Sequence, residues 1–186
     1  MQFRQAQTPD IEPIVDIYGQ AVRYFAAHGI DQWQHGYPSA ASAEEDVAVG
    51  RLYLLEEDGA ALATAVFQTD PEPTYAAIYQ GNWAHGGAYA AVHRVAVRDD
   101  CKGRGLAQRL FDEFTEMGRR SGFLSLRIDT HQQNRSMQRA LTKNGFEHRG
   151  TIYLPDGSPR MAFEKMLLSG SGRKPDQSGY NSSAAR

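Results

Sequence analysis

A cationic turn with two glycines, in the middle of the chain, has the chemistry of a phosphate-binding site. Its sequence is Lys102-Gly103-Arg104-Gly105-Leu106-Ala107, and it joins the apolar strand that ends at Val97 to an amphipathic helix. Glycines let the backbone approach an anion closely, because no Cβ intervenes and a positive φ costs little. The first amides of the following helix and the positive end of its dipole favour the same anion. Lys102 and Arg104 add mobile positive charge, so we expect a ligand that carries a diphosphate.

Two common nucleotide-binding motifs do not fit this turn. The P-loop pattern GxxxxGK[ST] is absent, and Gln108 stands where a Rossmann fingerprint has its third glycine or an alanine. Glycine turns also join strands to helices for purely geometric reasons, and that interpretation stays open on this motif alone. Metal-ligand spacing, HExxH and GxSxG are also missing from the sequence, so we expect no metal and no serine nucleophile.

The elements that must position this turn are predicted from apolar spacing and from turn residues. In order along the chain they are a strand at 3–7, a helix that starts at Thr8-Pro9-Asp10 and buries a face as far as Phe25, a short helix capped by Ser42, a hairpin of 51–57 and 60–68 around Asp58-Gly59, a strand at 90–97, the helix after Gly105, a strand at 123–129, a helix from Asn134 to the stop at Gly145, and a hairpin of 146–154 and 160–168. Residues 75–89 give no clear signal for either helix or strand.

Composition limits the class of protein and its partners. A chain of 186 residues is most simply one domain, here residues 1–168, and the polar Ser/Gly-rich segment 169–186 is expected to be a flexible tail. A formal charge of −2 argues against a nucleic-acid partner, because duplex binding needs clustered cations. The longest apolar stretch, near 60–67, is far shorter than the ~18 residues of a membrane span. With Cys101 as the single cysteine and no signal-peptide pattern, we expect a cytoplasmic protein.

Residues 90–146 resemble the GNAT superfamily of N-acetyltransferases, which bind acetyl-CoA. The glycine turn is similar to the family's pyrophosphate motif [Arg/Gln]-x-x-Gly-x-[Gly/Ala], with Lys102 in place of the usual Arg or Gln. The spacing from Asn134 to Gly145-Phe146 is similar to its later N-x(10)-G-F signature. The resemblance implies an α/β (α+β) domain with a mixed, mostly antiparallel sheet of six to seven strands and helices on both faces.

The resemblance also implies how acetyl-CoA binds. The strand that ends at Val97 would splay from its neighbour, so that backbone groups of Val95 and Val97 bond the pantetheine arm like an added strand. Ala96 and the turn residues 102–107 would complete the site, and Asn134 would be a polar contact near the arm. Leu141 stands where many members have a tyrosine that protonates the departing thiolate, so that acid is missing here.

The implied reaction is attack of an amine on the acetyl thioester, which needs a base for the ammonium form. Histidine is the natural candidate, because its unperturbed pKa lies near neutrality. His93 lies on the strand before the turn and His131 follows the next strand, although each also fits a structural role. Asp129 is a candidate to orient His131 or to bind the substrate ammonium, or it serves a backbone turn.

Aromatic residues of the two irregular regions are candidate walls of an acceptor pocket. By the resemblance these regions flank the acceptor entrance, and aromatic faces suit an amine, although such residues also pin loops to a core. They are Trp33, Tyr37, Trp83 and Tyr89.

We therefore expect an acetyl-CoA-dependent N-acetyltransferase that acts on a primary amine of a small molecule or peptide. Two alternatives remain, a non-catalytic module that binds or senses acyl-CoA and a transferase for a longer acyl-CoA. The identity of the amine and the oligomeric state stay open, a homodimer being one option.

Overall fold

A computed structural model describes residues 1–167, which form four helices around one seven-stranded sheet. The sheet order is β1-β2-β3-β4-β5-β7-β6, and only the β4–β5 pair is parallel. Leu168 and the predicted tail 169–186 lie outside the described residues. No helix within 1–167 is both long and apolar enough to cross a membrane. The elements are β1 (Gln2–Gln5), α1 (Ile11–Ala27), α2 (Ala40–Ala48), β2 (Leu52–Glu57), β3 (Ala60–Gln68), β4 (Tyr89–Val97), α3 (Leu106–Arg120), β5 (Ser125–Thr130), α4 (Arg135–Lys143), β6 (Glu147–Tyr153) and β7 (Pro159–Met166).

Helices cover both faces of the sheet, as predicted. Leu55 of β2 belongs to the core beneath α3, whereas Leu52 and Leu54 belong to the core beneath α1 and α2. This alternation is the period of a strand whose two faces are both buried. The interior strand β3 is accordingly buried almost throughout, and its sequence is an apolar run rather than an alternating one.

Several predicted boundaries differ from the observed ones by a few residues. β1 ends at Gln5 rather than at residue 7, and Thr8–Asp10 forms a separate 3₁₀ turn before α1 begins at Ile11. Ser39, not Ser42, caps α2, because its side chain accepts a hydrogen bond from the amide of Ser42. These differences have little effect on the site.

The sheet splits between β4 and β5. The two strands pair only where Tyr89, Ala90 and Ala91 face residues 125–127, although β4 continues to Val97. Beyond Ala91 the edge of β4 that faces β5 therefore has no partner strand. A bulge adds to the distortion, since the register with β3 shifts beside Arg94, which has a φ of 52°. The splay predicted for this strand is thus present.

Long-range contacts shape the segment between β3 and β4 that has no clear sequence signal. It contains one 3₁₀ turn at Pro73–Tyr75 and is then tied to the sheet. Glu164 of β7 accepts a hydrogen bond from the amide of Ala84 at 2.6 Å, and Arg127 of β5 donates to the carbonyl of His85 at 2.7 Å. Partners this distant in sequence leave no local pattern to predict from.

Candidate active site

The glycine turn forms one wall of a cavity of about 420 Å³, which α1, the end of β4 and α4 also line. Gly103 and Gly105 have φ values of 80° and 77°, and the space where each Cβ would stand is open. Both glycines are therefore needed for their backbone conformation, since that region of φ is costly for other residues.

Backbone amides of the turn and of the first turn of α3 are free to bind a ligand. Within residues 1–167, no acceptor bonds the amides of Gly103, Gly105, Leu106 or Ala107, and all four residues line the cavity. The amide of Arg104 differs, because it donates to the carbonyl of Cys101 over 3.4 Å. A helix N-terminus with free amides is a suitable site for an anion.

The side chains of the two cations in the turn are both paired within the protein, although Lys102 also lines the cavity. Lys102 pairs with Asp99 at 2.5 Å and lies 4.5 Å from the centre of the Tyr24 ring. Arg104 bonds Glu57 at 2.8 Å and does not line the cavity, contrary to its expected place in the cofactor site. Backbone amides and the paired Lys102 side chain, rather than the Arg104 guanidinium, therefore line this wall.

The unpaired end of β4 lies along the same cavity, which Val95, Ala96 and Val97 line. Asn134 lies opposite, but its side chain is already used in the fold. Its Oδ1 caps α4 by accepting from the amide of Met137 at 3.1 Å, and its Nδ2 donates to Gln32 at 3.1 Å.

Helix α4 also lines the first cavity, with residues that the sequence analysis did not identify. Residues three or four positions apart lie on the same face of a helix, and this spacing could have indicated them. Leu141 turns away from them and is fully buried in the core. The wall residues are Ser136, Met137, Ala140 and Lys143.

A second cavity of about 490 Å³ meets the first at the middle of β4. Phe25, Val95, Asn134 and Met137 line both cavities. His93 and Asp129 line only the second, on the far side of the shared residues from the glycine turn.

His93 has a carboxylate partner that the sequence analysis missed. Its Nε2 lies 3.4 Å from Oε2 of Glu72, a close contact without hydrogen-bond geometry, and both side chains are mostly buried. This contact with His93 lowers the pKa of Glu72 to about 2, aided by bonds from Thr74. Glu72 lies between β3 and β4, just before residues 75–89, and no local pattern joins it to His93, so only the tertiary structure reveals the pair.

The structure separates Asp129 from His131. Asp129 accepts a hydrogen bond from the Tyr75 hydroxyl at 2.8 Å, and burial raises the pKa of its carboxyl. The Nδ1 of His131 accepts from the amide of Gln133 at 3.2 Å, and the ring lines neither cavity. Burial lowers the pKa of His131. Asp129 therefore orients no base at position 131, and the placement favours His93.

Two of the four candidate aromatic residues line the second cavity. Trp33 packs edge-on against Tyr18 and Phe25, while Tyr37 bonds Arg94 through its hydroxyl. Trp83 and Tyr89 lie elsewhere, with their ring centres 4.2 and 4.0 Å from the Arg127 guanidinium. These two rings fix a loop to the sheet instead of lining either cavity, contrary to the expected substrate role.

No group of three or more His, Cys, Asp or Glu residues in the described part of the chain could hold a metal ion. The side chains around the two cavities therefore offer proton transfer and hydrogen bonding, and the amides of the turn offer anion binding.

Residues 15–146 match the model of the acetyltransferase (GNAT) family. The chain belongs to the GNAT family of acetyltransferases. A GNAT acetyltransferase from Streptococcus agalactiae is 33% identical in sequence and superimposes with a TM-score of 0.81, over 89% of this chain and 94% of that one. No curated protein matches the sequence significantly.

More distant acetyltransferase structures share the fold. A Salmonella typhimurium protein solved with its cofactor acetyl-CoA is 19% identical, with a TM-score of 0.64 over 94% of this chain and 98% of that one. The ribosomal-protein-S18-alanine N-acetyltransferase of Escherichia coli is 14% identical, with a TM-score of 0.62 over 93% and 97%. The mixed seven-stranded sheet of this GNAT domain is thus that of the family.

Proposed function

We propose that this GNAT protein transfers the acetyl group of acetyl-CoA to a primary amine of a small molecule or peptide. The amine attacks directly while both substrates are bound. The observation that carries the proposal is the meeting of two cavities at Val95, one lined by free amides and the other by a histidine–carboxylate pair.

The first cavity offers backbone groups that suit a CoA molecule. The amides of Gly103, Gly105, Leu106 and Ala107 suit a diphosphate, because α3 adds the positive end of its dipole. The unpaired edge of β4 suits the amide groups of a pantetheine arm, which can bond it as a neighbouring strand would. When bound in this way, acetyl-CoA supplies an activated acetyl thioester.

The second cavity fits an amine and a base. Most alkylamines are protonated at neutral pH, so a proton must leave the ammonium before nitrogen can attack. The ring of His93 takes that proton, and ionised Glu72 beside it stabilises the positive charge that results. The new C–N bond then forms as the C–S bond breaks, and the attacking nitrogen loses its second proton to water.

The departing thiolate needs no tyrosine at position 141. Leu141 has no ionisable group and is buried in the core, so this position supplies no acid to the thiolate. A thiol has a pKa of about 8.5, so the thiolate takes a proton from water or from the His93 imidazolium near neutral pH. The missing tyrosine is therefore compatible with turnover.

Thiol release from acetyl-CoA tests the proposal directly. We expect release above the amine-free background with at least one class of aminoglycoside, polyamine, amino acid or peptide, together with a product that is heavier by one acetyl group. The same assay with longer acyl-CoA donors tests whether acetyl is the preferred group. If acetyl-CoA binds by calorimetry and no amine class releases thiol, the proposal is wrong and the protein is an acyl-CoA-binding module.

A further inference from the structure

The second cavity is the acceptor cavity of the proposed reaction, and the charged side chains that line it are of two kinds. Glu72 and Asp129 are carboxylates near His93, as expected for a site that receives an ammonium group. The cavity also has two arginines. Arg94 is neutralised, because its Nη2 lies 2.6 Å from the fully buried carboxylate of Asp46.

Arg160 is the second arginine, and its charge has no such partner. Its Nη1 donates to the carbonyl of Pro159 at 3.0 Å, and no carboxylate of residues 1–167 forms an ion pair with it. The side chain is partly buried and lines the acceptor cavity. A partly buried, unpaired cation in a substrate cavity is available to an anionic group of the ligand.

The register of the sheet fixes where Arg160 lies. Asp129 of β5 faces Ala162 of β7, and Arg160 is two residues from Ala162, on the same face of the strand. Arg160 therefore follows Asp129 along one face, towards the end of β7 that opens into the 154–159 turn. Its positive charge acts on both neighbours: it partly offsets the burial that raises the pKa of Asp129, and it adds to the burial that lowers the pKa of His131.

The carboxylates at the rim of the cavity do not cancel this charge. Asp156 accepts a hydrogen bond from the amide of Ser158 at 2.8 Å within its own turn. Asp31 lies 3.6 Å from His35, and both side chains are mainly exposed, at 72% and 84%. Exposed charges are strongly screened by solvent, so neither prevents an anion from reaching Arg160.

We infer that the acceptor is an amine that also carries a carboxylate, that is, an amino acid, and that Arg160 binds this carboxylate while the amino group faces His93. The inference rests on the proposed function and names its substrate class. A guanidinium binds a carboxylate through two parallel hydrogen bonds, which position as well as attract it. Arg160 is in this role a specificity residue and takes no part in proton transfer.

Paired substrates of equal length test the inference. Glycine, β-alanine and γ-aminobutyrate are each compared with the corresponding amide, at saturating acetyl-CoA, in the wild type and in Arg160→Gln. We expect kcat/KM for each acid that fits, relative to its amide, to fall about 10- to 100-fold in the variant, mainly through KM. Comparing this ratio between the two proteins cancels the difference in basicity between acid and amide.

Arg139→Gln is the matched control, since Arg139 is an exposed arginine of α4 that lines neither cavity. It should leave the ratio unchanged. Arg160→Glu should reverse the preference, so that diamines of the same length become better substrates than the amino acids. Equal ratios in the wild type and Arg160→Gln would overturn the inference while leaving the acetyltransferase function intact. Absence of turnover with every amine would overturn both.

Discussion

Nε2 of His93 on β4 lies 3.4 Å from Oε2 of Glu72, a residue of the irregular segment before that strand. The two residues come together because β4 returns antiparallel to β3 and the intervening chain folds back across it. The pair thus places the proposed base and its stabilising carboxylate in one cavity. That cavity meets the one lined by the cradle, the free amides of residues 103 and 105–107.

Replacing His93 by Ala should reduce kcat/KM by about 10²- to 10⁴-fold, because the amine then has no positioned base. The measurement is initial thiol release across a range of pH, and the limb of the profile set by the base should disappear. CoA affinity by calorimetry should not change, since His93 does not line the cradle cavity.

His131→Ala is the matched control for this loss, and it should retain most of the activity. His131 lines neither cavity and uses Nδ1 within its own loop. If His131→Ala loses turnover while His93→Ala keeps it, His93 is not the base.

The ionisation of Glu72 should make the free energy of unfolding depend on pH. Its pKa is lowered to about 2 in the folded protein, against an ordinary value of 4.5, so the unfolded chain binds the proton more readily. The resulting stabilisation, at most about 3 kcal/mol, is fully present above pH 4.5 and is lost as the pH falls towards 2.

Urea unfolding of the wild type and Glu72→Gln measures this dependence. The wild type should be the more stable protein at pH 6, and the difference should shrink as the pH approaches 3. A difference that stays constant over this range would show that the carboxylate is not held in its ionised form by His93.

Gly105→Val should weaken CoA binding at least about tenfold, because a β-branched residue strains a backbone with a φ of 77° and displaces the amides of the cradle. Calorimetric titration with CoA provides the measurement. Gly105→Asn should be milder, since Asn tolerates this region of φ better than Val.

Gly122→Val is the control for Gly105→Val, because it introduces the same kind of backbone strain outside the cradle. Gly122 has a φ of 78° with open space around its Cβ position, and it lies in the loop after α3. This variant should lose stability but bind CoA normally. Unchanged affinity in Gly105→Val would refute the assignment of the turn as a phosphate site.

Asp46→Asn should destabilise the fold by about 3–5 kcal/mol, because it leaves two arginines beside a fully buried neutral side chain. Arg51 and Arg94 each lie 2.6 Å from the Asp46 carboxylate. Arg94 also bonds the hydroxyl of Tyr37 in the acceptor cavity, so the acceptor KM should rise as well.

Chemical unfolding and acceptor kinetics check the Asp46 prediction together. Glu57→Gln is the control, since its pair with Arg104 is exposed to solvent and outside both cavities. That variant should show no measurable change in stability. Equal stability of Asp46→Asn and the wild type would contradict the role assigned to the buried carboxylate.

Sequence patterns were sufficient for the parts of the molecule that depend on neighbouring residues. The apolar spacing of α3, the Asp58-Gly59 hairpin and the two glycines of the cradle each express a short-range rule of backbone geometry. The order of the elements and the location of the glycine turn followed from such rules, together with the family resemblance.

The roles of individual side chains around the acceptor depended on tertiary contacts. His93 and His131 look equally suitable in the sequence, yet sheet register brings only His93 to a carboxylate and a cavity. The rings of Trp83 and Tyr89 both contact the Arg127 guanidinium. These contacts join two strands and a loop, so no local sequence pattern encodes them.

The sequence by itself therefore determined the elements, the glycine turn and the class of fold, because each depends on residues a few positions apart. Only the tertiary structure decided the partner of His93, the burial of Leu141 and the position of Arg160 in the acceptor cavity. These arrangements join segments that are distant in sequence. Strand register sets the positions of the residues, and packing decides which charges remain unpaired.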